Sequence, residues 1–195
     1  MVYTIEEKEA QAVHFWGHLK TITKHRYLVM KHCFKVGLYR QGLTHDLSKY
    51  SPTEFWAGVK YYQGTRSPNV AEREDKGYSR AWMHHKGRNK HHFEYWTDLR
   101  PGTHEYGPVP MPTKYLVEMC MDRIAACKTY HGKAYRDSDP IDYLNQARDS
   151  YLMHPETMRK TVYLLTMLAE KGEKETFRFI RGHVLKGEDF AQEVH

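Results

Sequence analysis

Gly42-Leu43-Thr44-His45-Asp46-Leu47-Ser48-Lys49-Tyr50 is the stretch around which the chain is organised, an adjacent His-Asp pair with a lysine three residues further on. Imidazole and carboxylate side by side offer nitrogen and oxygen donors from one turn of backbone, which suits a borderline or hard divalent metal ion. Lys49 would stand one turn away, free to meet an anion. Taken alone, the pair has a plainer reading: an aspartate capping its own helical turn. Its weight therefore depends on its surroundings.

Those surroundings read as helix. Apolar residues recur at three-to-four spacing in several segments, with no convincing alternation of period two. One helix starts at Thr4, with Glu7 completing a capping box, and runs on through Gly17. The first long helix spans Ile22 to Leu38 and is closed by Gly37. After the His-Asp segment, Leu43 to about Tyr50, Ser51 and Pro52 cap and open a helix reaching about Tyr62. Gln63 to Gly77, with Gly64, Pro68, Asn69 and many charges, reads as a loop able to lie over whatever the histidines build. Tyr78 to Trp96 is helical in part and broken near Gly87. Arg100 to Pro112 holds four prolines and two glycines and cannot be a helix interior. Lys114 to Tyr130 is a strongly apolar helix, Asp139 to Tyr151 opens on Asp139-Pro140, and a last amphipathic helix runs from His154-Pro155 through Ala169. The more polar Glu173 to His195 includes one further helix.

A chain of 195 residues is a comfortable single domain. The expectation is an all-α domain over 1–195, with its chemistry in about 22–130 and the helices of 139–195 packed on that part. Hydrophobic residues at 40%, aromatics at 13% and 15 tyrosines exclude a disordered chain. The net charge of +6 is spread along the sequence and admits an anionic small substrate or a nucleic acid as partner. Cys33, Cys120 and Cys127 lack Cys-x-x-Cys spacing and read as reduced core thiols of a cytoplasmic protein. The acidic start and the lack of a long apolar run predict neither a signal peptide nor a membrane span. Walker-type and dinucleotide glycine motifs are absent, as is a Ser or Cys nucleophile in a recognisable setting.

Fourteen histidines are the anomaly, and they cluster. His25 and His32 lie two helical turns apart and project from nearly one face, so either could reach a site set against it. Trp82-Met83-His84-His85-Lys86-Gly87-Arg88-Asn89-Lys90-His91-His92-Phe93-Glu94-Tyr95-Trp96 packs four histidines and three basic residues between His84 and His92. Asp122 stands inside the most apolar helix, where a carboxylate wants a metal or an arginine. Its sequence neighbour Arg123 does not face it, which weakens a simple ion pair as the explanation. The plainer reading of Lys86 and Arg88 is a solvated loop.

The order His, His-Asp, His-His, His-His, Asp resembles the HD superfamily of metal-dependent phosphohydrolases, particularly its two-metal variants, over roughly residues 25 to 125. More narrowly, His45-Asp46-Leu47-Ser48-Lys49 and the run from His84 to Trp96 are similar to a family of small uncharacterised HD-like proteins. The resemblance implies a helical bundle holding one or two divalent ions (Mn, Fe, Zn, Ni or Mg). It implies His25, His45, Asp46 and Asp122 as ligands, with His85 and His92 the best matches to the additional ones. The implied activity is hydrolysis of a small phosphorylated molecule, a nucleotide among the candidates, by metal-activated water. In it Asp46 would orient the water, Lys49, Lys86 and Arg88 would stabilise phosphate, and His84 or His91 would serve as general acid or as a partner of a ligand. Two other classes stay open: an iron-dependent oxygenase of HD type, and a non-catalytic module binding nucleotide or nucleic acid through Lys86 to His92 and the flanking tryptophans.

Overall fold

The computed structural model describes residues 5–191, with side chains from residue 12 onward. The capping box expected from Thr4 and the Glu7 side chain lies outside the described residues. Within them the chain is mostly helical, as the sequence predicts. The helices are α1 (Ile5–Val36), α2 (Tyr39–Thr44), α3 (Pro52–Lys60), α4 (Pro68–Lys76), α5 (Arg80–Lys86), α6 (Thr113–His131), α7 (Asp139–Ala147) and α8 (Pro155–Gly182). A short antiparallel hairpin, β1 (Thr97–Leu99) with β2 (Tyr106–Pro108), pairs Thr97 with Pro108. Its second strand falls in the proline-rich crossing.

The core is a seam between α1 and α6, closed by α7 and α8. Val29, Cys33 and Val36 follow one another at helical spacing on α1 and are fully buried. They join Leu116, Cys120 and Ile124 of α6, Leu144 of α7 and Leu164, Leu165 and Leu168 of α8 in one apolar cluster. One turn N-terminal to Val29 on the same stripe stands His25, also buried. On α6 the buried Glu118 and the partly buried Asp122 are one turn apart. Both helices thus set polar groups among the apolar residues of their buried faces.

Two expectations need correcting. Ile5 to Val36 forms one helix rather than two, and Gly17 does not interrupt it. Glycine is needed there for close approach, since a Cβ would sit 2.5 Å from Cε1 of Tyr62. Gln63 to Gly77 is not all loop: Ser67-Pro68 opens α4 and Gly77, at φ 77°, closes it. Its charges lie mostly on the solvent face, where Arg66 meets Glu74 at 2.6 Å. The exception is Glu72, buried, whose carboxylate accepts from Ser79 Oγ at 2.7 Å and from the Ala81 backbone N–H at 3.2 Å. The segment expected to cover the histidines instead anchors the start of α5, which carries two of them.

The C-terminal reading holds in substance. α8 consists of two helical arms meeting at Gly172, whose φ of 74° and ψ of 173° are non-helical. Among the described residues no helix is long and apolar enough to cross a membrane.

Candidate metal centre

The His-Asp pair sits where α2 ends. His45 N–H still donates to Gln41 O at 2.8 Å, and then Asp46 turns the chain in the left-handed region, φ 55° and ψ 24°. A 3-10 turn follows over Leu47–Tyr50, and Ser51 caps α3 with Pro52 at its first position. Arg26 of α1 clamps this corner, its guanidinium donating to His45 O at 3.0 Å and Leu43 O at 2.7 Å. The pair is therefore a strained corner tied to the helix that presents His25.

The second histidine run reaches the same corner by two devices. Ser79 caps α5, accepting from Trp82 N–H at 3.0 Å. Beyond its end the buried Asn89 donates through Nδ2 to Ser48 Oγ and to His85 O, both at 2.8 Å. This folds the chain back so that His91 stacks against His45, with ring centroids 4.2 Å apart. His92 lies among the rings of Trp82, His85 and His91.

Three groups of metal-compatible donors result; Asp46 belongs to two of them, and the third joins His45, His91 and Glu118. The first is His25, His45, Asp46 and Asp122; the second is Asp46, His85, His91 and His92. Asp46 Oδ2 lies 3.5 Å from His25 Nε2 and 3.3 Å from His45 Nε2. Its Oδ1 lies 3.3 Å from His85 Nε2 and 3.4 Å from His91 Nε2. Asp122 Oδ1 completes the first group, 2.9 Å from His25 Nε2 and 3.5 Å from His45 Nε2.

These separations do not make hydrogen bonds. The Nε2 atoms of His25, His45, His91 and His92 and Oδ1 of Asp46 are buried and have no hydrogen-bond partner, while Asp46 Oδ2 meets the Lys49 ammonium. Buried polar atoms are rarely left so. Donors about 2.0–2.1 Å from one ion stand roughly 3 Å apart around it, which is the spacing seen here. The donor set fits a divalent cation between imidazoles and carboxylates.

The far side of the imidazoles is what aims them. His85 Nδ1 is 2.7 Å from Glu54 Oε2, and His45 Nδ1 is 2.9 Å from Glu118 Oε1. An ionised carboxylate accepts only, so Nδ1 carries a proton in each and Nε2 is the nitrogen turned toward an ion, which would displace any proton held there. Burial opposes a charge on His45, yet Asp46, then Asp122 and Glu118, raise its pKa well above the usual range. Burial likewise works against ionised Asp46, but His45, Lys49 and His85 hold it well below the ordinary carboxylate value. Asp122 is depressed in the same way by His25 and His45 against its burial.

Of the other residues singled out from the sequence, Lys49 stands at the corner, its ammonium 2.6 Å from Asp46 Oδ2 and its side chain 28% exposed. With Asp122 at 16% exposed, it marks the side on which the cluster opens. His84 is partly exposed and bonds Glu54 Oε1 through Nδ1 at 2.6 Å. Arg88 is exposed and donates to the His84 carbonyl, and neither it nor Lys86 is brought into contact with the two groups. His32, two turns beyond His25, meets Lys128 and Glu173 on the far side of the α1–α6 seam. Sequence reasoning missed Glu54, Glu118 and Asn89. A glutamate inside the apolar run Leu116 to Ala126 was the available signal for Glu118, of the same kind that drew attention to Asp122.

A protein-family profile matches residues 14–167, and its description is "Family of unknown function (DUF5662)". No curated protein and no solved structure matches the chain.

Proposed function

We propose, for a chain that belongs to the family of unknown function DUF5662 and inherits no activity from it, a metal-dependent phosphohydrolase acting on a small phosphorylated molecule. One divalent ion would lie among His25, His45, Asp46 and Asp122 and a second among Asp46, His85, His91 and His92. The observation that carries this reading is Asp46, whose two oxygens face different pairs of imidazole Nε2 atoms, those of His25 and His45 on one side and of His85 and His91 on the other, three of the four being buried without a partner. Chain order, with the His-Asp pair between a helical histidine and a late aspartate, supports the HD-type resemblance as well.

Bound ions would bring the pKa of water toward neutrality and neutralise charge on the phosphoryl oxygens. The chain supplies the rest. Lys49, partly exposed beside Asp46, receives the phosphate at the open side. Glu54 and Glu118 keep the imidazole lone pairs turned inward. His84, partly exposed and held by Glu54, is the proton donor we assign to the leaving group. A second reading has one specific observation in its favour: five imidazoles among the candidate ligands also suit iron, and with it oxygen chemistry.

Elemental analysis of protein purified without added metal tests both readings, with His45→Ala and Asp122→Ala beside the wild type. Stoichiometric metal in the wild type, with the ion of the first group lost in both variants, is the expected result. Zinc, manganese, nickel or magnesium directs the next assay to a panel of phosphomonoesters that includes nucleotides, and iron directs it to oxygen consumption. No bound metal after reconstitution with manganese, iron, zinc or nickel overturns the proposal.

A further inference from the structure

We propose that Glu118 is a positioning residue shared by the two metal positions, so that both ions are held or lost together; this rests on the two-ion reading above. A single atom, Glu118 Oε1, lies 2.9 Å from Nδ1 of His45 and 3.1 Å from Nδ1 of His91. His45 belongs to the first donor group and His91 to the second. Their rings lie at 4.2 Å and 33° to each other, so one oxygen placed beside both can accept from both. Each N–H given to Glu118 fixes the proton on Nδ1 and leaves Nε2 as the lone-pair donor. In both rings that Nε2 is the buried atom without a partner.

Glu54 gives the contrast. Its Oε2 holds His85 of the second group, and its Oε1 goes to His84, which is in neither. Glu54 therefore serves one position and Glu118 serves two. Loss of such an orienting carboxylate costs about 10- to 100-fold in metal affinity. Glu118→Gln keeps shape and an acceptor oxygen while removing the charge that fixes both tautomers.

The test uses zinc as the probe. Chelator-treated wild type, Glu118→Gln and Glu54→Gln are dialysed against buffered zinc and assayed for bound ions, with circular dichroism to check the fold. Two ions are expected in the wild type. Both should be weakened about 10- to 100-fold in Glu118→Gln, and only one in Glu54→Gln. A wild type that binds fewer than two ions overturns the two-ion reading and this inference with it. A wild type with two ions beside a folded Glu118→Gln that keeps either at wild-type affinity overturns the role of Glu118 alone. Should Glu118→Gln not fold, nitrogen-15 spectra of the zinc-loaded wild type decide. His45 and His91 must both carry their proton on Nδ1, and a proton on Nε2 of either refutes the assignment.

Discussion

At position 46 backbone and chemistry make the same demand. A φ of 55° and ψ of 24° is a left-handed conformation that among residues with a Cβ only aspartate and asparagine visit routinely. Ionised Asp46 also has to face four imidazoles. Asp46→Asn should therefore lose the ions while keeping the corner, whereas Asp46→Ala loses both, and urea unfolding should find the alanine variant less stable by about 1–2 kcal/mol. Lys49→Met should leave the ion count unchanged and lower kcat/KM for a phosphomonoester about 10²- to 10³-fold, the worth of one well-placed electrostatic donor. His32 supplies a pH effect. Burial first, then Lys128, lower its pKa from 6.5 to about 4. The unfolded imidazole takes up its proton near 6.5 and the folded one only near 4, so neutral His32 contributes stability above pH 6.5 that disappears as the pH falls toward 4, about 3 kcal/mol in all. His32→Gln should show a correspondingly shallower loss of unfolding free energy over that window. At this scale His45, Asp46 and Asp122 were legible because adjacency and an apolar setting make them costly without a partner. Glu54 was silent, since a glutamate in the first turn of a helix is ordinarily explained by the helix itself.

Among the elements, the kink in α8 carries its own prediction. Gly172 combines φ 74° with ψ 173°, a region essentially closed to residues with a Cβ. Gly172→Ala should destabilise the fold by about 1–3 kcal/mol despite alanine's better helix propensity. Chemical denaturation reads the difference, and an unchanged midpoint would mean that the two arms straighten at little cost. The elements that carry the core were visible in the sequence: the stripe Val29, Cys33, Val36 and the apolar α6 announce themselves by period. α4 was hidden because it buries almost nothing except Ala71 and Glu72, leaving no apolar stripe to read. The role of Gly17 was hidden for a different reason: it admits the Tyr62 ring, a contact with a residue far along the chain that no local pattern encodes.

For the molecule as a whole, the candidate ligands come from α1, the α2 corner, α5, the turn after it and α6, and ions held among them would link all five. A ligand that binds only the folded state stabilises it by RT ln(1 + [L]/Kd), about 2.7 kcal/mol at 100 times Kd. Chelation should therefore lower the melting temperature of the wild type and lower that of His45→Ala by less, and calorimetry with and without chelator checks it. Helical character was legible at this scale from composition and period. The meeting of the two histidine runs was not, because Asn89 and Ser48 join segments whose sequence separation says nothing of their contact.

The spread of the ligands along the chain also governs the order in which the site can come into being. His25 is made first and Asp122 last among them, so a chain emerging from the ribosome displays five of the histidines and Asp46 well before the helix that supplies Glu118 and Asp122 exists. Until then those imidazoles would be open to any borderline divalent cation, in whatever combination is nearest. The first donor group is complete only when α6 docks on α1, so an ion held there would be enclosed by the last-made of the ligand helices.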